Sequence, residues 1–62
     1  MQSNLYYAIL AIATARNVAE AIEALELAEA LQKRAFTEGE KAVAAHVVEN
    51  ATRAVERAIM EN

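Results

Sequence analysis

Apolar positions along this chain recur at intervals of three and four, the period of an amphipathic helix, and no run alternates with the period of two that marks a strand. The clearest case is the C-terminal third. Val43, Ala44, Val47, Val48, Ala51, Ala54, Val55, Ala58 and Ile59 form one broad stripe, while Glu49, Arg53, Glu56 and Arg57 fall outside it. Ahead of that stripe stands Phe36-Thr37-Glu38-Gly39-Glu40, which holds the one glycine of the chain. Thr37 with Glu40 three residues later has the spacing of a capping box, in which hydroxyl and carboxylate satisfy free backbone N–H groups at a helix start. The pattern predicts an all-α fold with a helix over about 4–35, a turn at about 36–37 and a second helix over about 38–61. Ser3 or Asn4 would cap the first helix, and Gly39 would lie in the first turn of the second or in the connection.

The first predicted helix is less regular. One apolar stripe runs through Ala11, Ala15, Val18 and Ile22, with Ile12 and Ala19 beside it. Another runs through Ala24, Leu25, Leu27, Ala28, Leu31 and Ala35. At about 100° per residue the two sets point to different sides of one continuous helix, so its two ends call for different partners. Register sharpens this. In an antiparallel hairpin turning near residue 37, Leu5, Tyr6, Tyr7, Ile9, Leu10 and Ile12 project beyond the end of the second helix. Each contributes about 1.5–3 kcal/mol when buried, and together they exceed the apolar patch a monomer usually exposes. Two hairpins packed antiparallel as a four-helix bundle would cover both overhangs. The expected interface is Leu5, Tyr6, Tyr7, Ile9, Leu10, Ile12, Val18, Ile22 and Leu25, with the Val43 to Ile59 stripe completing the core.

A competing reading breaks the first helix. Asn17-Val18-Ala19-Glu20 is a second capping signal, and Asn tolerates the left-handed backbone of a tight break. A break near Arg16-Asn17 gives three helices and folds residues 5–15 back on the rest. The stretch NLYYAILAIATARNVAEAIEALELAEAL, with small Ala11, Glu20-Ala21-Ile22, Leu25 and Ala28, resembles a single tetratricopeptide (TPR) unit, which implies a helix–turn–helix with its turn at Asn17. Ala8 and Ile9 stand where that unit carries an aromatic and a glycine.

Composition adds constraints. At 62 residues the chain forms one domain, and a domain of this size is marginal without disulfides, metals or oligomerisation. It has no cysteine and no proline, but sixteen alanines and nine glutamates. Such a chain is similar to designed or engineered alanine-rich helical bundles, and the resemblance implies an assembling bundle. A net charge of −3, with basic residues scattered among acids, gives no footprint for nucleic acid. The apolar run Leu5 to Ala15 has no charged region before it and is too short to span a bilayer. No membrane span is expected, and the chain is compatible with the cytoplasm.

Candidate chemistry is sparse. His46 would lie level with Glu29, and Glu49 with Glu26, a notional metal set. However, the order His46-x-x-Glu49 reverses the Glu-x-x-His of bundle metal sites, and these carboxylates point away from the apolar faces. Neither metal nor cofactor is therefore expected. Glu20, Glu23, Glu26 and Glu29 read as a solvated face. Ser3, Thr14 and Thr52 have no base at a spacing that would activate them, and no glycine-rich loop is present to hold phosphate. The expected function is structural self-assembly as a homo-oligomer, a dimer first, without catalysis. The alternative is a protein-binding module that holds a partner helix against the apolar N-terminal segment.

Overall fold

The computed structural model describes residues 2–61, with side chains from Leu5 onward. Its described residues form three helices: α1 (Gln2–Thr14), α2 (Val18–Arg34) and α3 (Glu38–Glu61). The chain is thus all-helical, with the break near Asn17 rather than one helix over 4–35. The caps expected at Ser3 or Asn4 fall outside the described side chains.

The break follows from local hydrogen bonding. Asn17 adopts φ −149° and ψ 177°, which turns the chain before α2 begins. Its Oδ1 accepts the Glu20 N–H at 2.9 Å, and the Glu20 carboxylate accepts the Arg16 N–H at 2.8 Å. The Glu20 N–H is one of the donors that a helix start leaves free, and the Arg16 N–H is satisfied just ahead of the cap. The backbone at this break is extended, not left-handed as Asn would permit, and no described residue has positive φ. The second turn repeats the device. Thr37 Oγ1 accepts the Glu40 N–H at 3.1 Å, and Glu40 Oε1 accepts from both Phe36 N–H at 2.9 Å and Thr37 N–H at 3.1 Å. Gly39 lies in the first turn of α3, so its helical backbone needs no glycine freedom.

The helices run up, down and up. α3, at 24 residues, is about 36 Å long by the rise of an α-helix and spans the 38 Å long axis of the molecule. α2 packs most extensively on α3, α1 packs on α2, and a smaller contact joins α1 to α3. The overhang expected of a two-helix hairpin does not arise, because the turn at Ala15 to Asn17 returns α1 along α2.

The core is built from small side chains. Ala8, Ala21, Ala24, Ala28, Ala44, Val47, Ala51 and Ala54 are buried, and among the described residues no polar one is. Ala8, Ala28, Val47 and Ala51 form its centre, with Leu5, Ile12, Leu25, Leu31 and Val48 packed against it from positions still partly open to solvent. Alanine lets helix axes approach toward the short end of the usual 8–10 Å range. Its limitation is energetic: a buried methyl contributes only about 0.8 kcal/mol.

Candidate functional site

The nine side chains expected at an interface divide three ways. Leu5 and Ile12 face inward, half-buried against the alanine centre. Tyr6, Tyr7, Ile9 and Leu10 face outward, with Tyr6 61% exposed, Tyr7 58% and Ile9 51%. Val18 and Leu25 are half-buried on α2, and Ile22 is exposed there. Sequence order had joined all nine along one helix. The break at Asn17 instead sets the α1 and α2 residues on separate surfaces.

The first surface is the outer side of α1. Tyr6, Ile9, Leu10 and Ala13 share one face at helical spacing, opposite the buried Ala8 and the half-buried Leu5, Ala11, Ile12 and Ala15. The Tyr6 and Tyr7 rings meet edge to face, with centroids 5.8 Å apart. No residue from Gln2 to Thr14 is charged, so nothing on this helix opposes burial of its outer face by ionic desolvation. The Thr14 hydroxyl donates to the Leu10 carbonyl at 2.8 Å, which satisfies its proton within the helix.

The second surface is a groove between α2 and α3. Ile12 of α1 lines a trough with Asn50, Arg53 and Arg57, which places α1 along that flank of α3. Val48, Val55 and Ile59 lie on the other flank, away from α1. In the antiparallel register of α2 and α3, Leu25 comes level with Val48 and Val18 with Val55. These residues, with Ile22, make a second apolar strip. Ile22 is 42% exposed and Ile59 57%, while Val18, Leu25, Val48 and Val55 are half-buried. Sequence reasoning put α2 and α3 in one hairpin but missed this open flank, since it expected the facing residues to be the interior of a bundle.

Where α1 and α3 end, a recess of about 240 Å³ opens among Ile12, Ala15, Ala21, Ala54 and Ala58, with Arg16, Arg57 and Glu61 at its mouth. Its lining mixes aliphatic side chains with these charged ones, and no described side-chain nitrogen or oxygen is buried without a hydrogen-bond partner. No hydroxyl or thiol lines the recess, and Glu61 is its one carboxylate among the described residues. The Thr52 hydroxyl is likewise engaged, donating to the Val48 carbonyl at 2.9 Å.

His46 is exposed on α3. Among the described residues, no three of His, Cys, Asp and Glu come together as a metal set, so Glu26, Glu29, Glu49 and His46 are not a cluster. Glu49 instead accepts from Arg53 at 3.2 Å, a four-residue pair along α3 that is open to solvent and of small energetic weight. The acids Glu20, Glu23, Glu26 and Glu29 are all exposed. No helix is long and apolar enough among the described residues to cross a membrane. Comparison with protein-family models, with curated proteins and with solved structures finds no match to this chain.

Proposed function

We propose that this chain is a structural self-assembly module, a homo-oligomer with no catalytic activity of its own. The observation that carries the reading is an inversion of size. Among the described residues the buried set is seven alanines and one valine, whereas Tyr6, Tyr7, Ile9, Leu10, Ile22, Leu27, Phe36, Val43, Ile59 and Met60 stand exposed. Folding of one copy fully withdraws mainly small apolar groups, half-buries Leu5, Ile12, Leu25, Leu31 and Val48, and leaves these ten large side chains in water. Each of those contributes about 1.5–3 kcal/mol once buried, so association supplies what the alanine core does not.

Association can be symmetric or directional. Two α2–α3 hairpins meeting across their open grooves would make a four-helix core with α1 outside. Alternatively, the face of α1 on one copy can meet a different surface on the next. In either case the unit of assembly is the three-helix chain.

A second reading is favoured by the uncharged outer face of α1, which would suit an apolar helix of another protein equally well. That reading calls for a stable monomer that binds a hydrophobic dye. Sedimentation equilibrium separates the two. Under the self-assembly reading the mass rises above 6.7 kDa with concentration. Ile9→Glu then weakens association by about tenfold to a hundredfold, since it removes one large apolar contact and buries a charge in its place. A parent that stays a folded monomer at all concentrations refutes self-assembly.

A further inference from the structure

We draw no further inference here: the strongest candidate, the open apolar flank of α2 and α3 around Val18, Ile22, Leu25, Val48, Val55 and Ile59, is bordered by both acids and lysines, and nothing in the structure shows what covers it.

Discussion

At the scale of single residues, the two turns depend on four side chains: Asn17, Glu20, Thr37 and Glu40. These were legible in sequence, because the capping-box spacing states a local hydrogen-bond exchange that needs no tertiary context. Removing the cap at either turn, as Asn17→Ala or Thr37→Ala, is expected to cost about 0.5–2 kcal/mol, measured by denaturant unfolding. Glu40 adds a pH dependence. Hydrogen bonds from the Thr37 and Phe36 backbone N–H groups hold its carboxyl below the ordinary carboxylate value. A pKa lowered in the folded state gives stability that is present above the unfolded value and lost as pH falls through the folded one. Melting temperatures of the parent and Glu40→Gln should therefore differ at neutral pH and converge as Glu40 protonates in acid. A gap that persists undiminished in strong acid would remove the carboxylate from this role. Gly39 is the converse case. It lies in a helix with open space where a Cβ would project. Gly39→Ala should stabilise the fold by about 0.4–1 kcal/mol, read as a raised denaturation midpoint, because it restricts the unfolded chain at no native cost.

At the scale of the element, the alanine pattern sets what packs and what remains outside. The stripe of α3 was readable because one apolar face runs its whole length, and the structure buries Ala44, Val47, Ala51 and Ala54 from it. The division of the first half into α1 and α2 was visible only as two stripes out of phase. Periodicity registers a change of phase, but two causes produce one: a continuous helix with two partners, or a break. The hydrogen bonds of Asn17 and Glu20 decide for the break. The fate of the large side chains was not legible, because an aliphatic residue has the same sequence signature in a core as on an open flank. Hence Ile9, Leu10 and Ile22 read as interior to a bundle, although one copy leaves them in water. Close helix approach makes a prediction of its own. Ala28 is fully buried at the centre of the three helices. Ala28→Leu would force them apart and should cost about 1–3 kcal/mol by chemical denaturation. A stabilised Ala28→Leu would mean that the helices are not closely packed there.

At the scale of the whole molecule, three helices joined by two equivalent turns make a unit that is regular inside and open on two sides. The regularity was half visible. Both capping signals stand in the sequence, twenty residues apart, and each has its glutamate three residues after the cap. What no pattern could supply was the pairing of surfaces, since it depends on which flank of α2 and α3 the returning α1 occupies. Once α1 is placed, its uncharged outer face and an apolar flank of α2 and α3 bordered by both acids and lysines remain, and the core between them is too poor in large side chains to account for the chain's apolar content. Whether one copy covers these surfaces with another is decided by sedimentation equilibrium of the unaltered chain. Self-association gives a mass that rises with concentration above 6.7 kDa. A single folded 6.7 kDa species across the whole concentration range would contradict it.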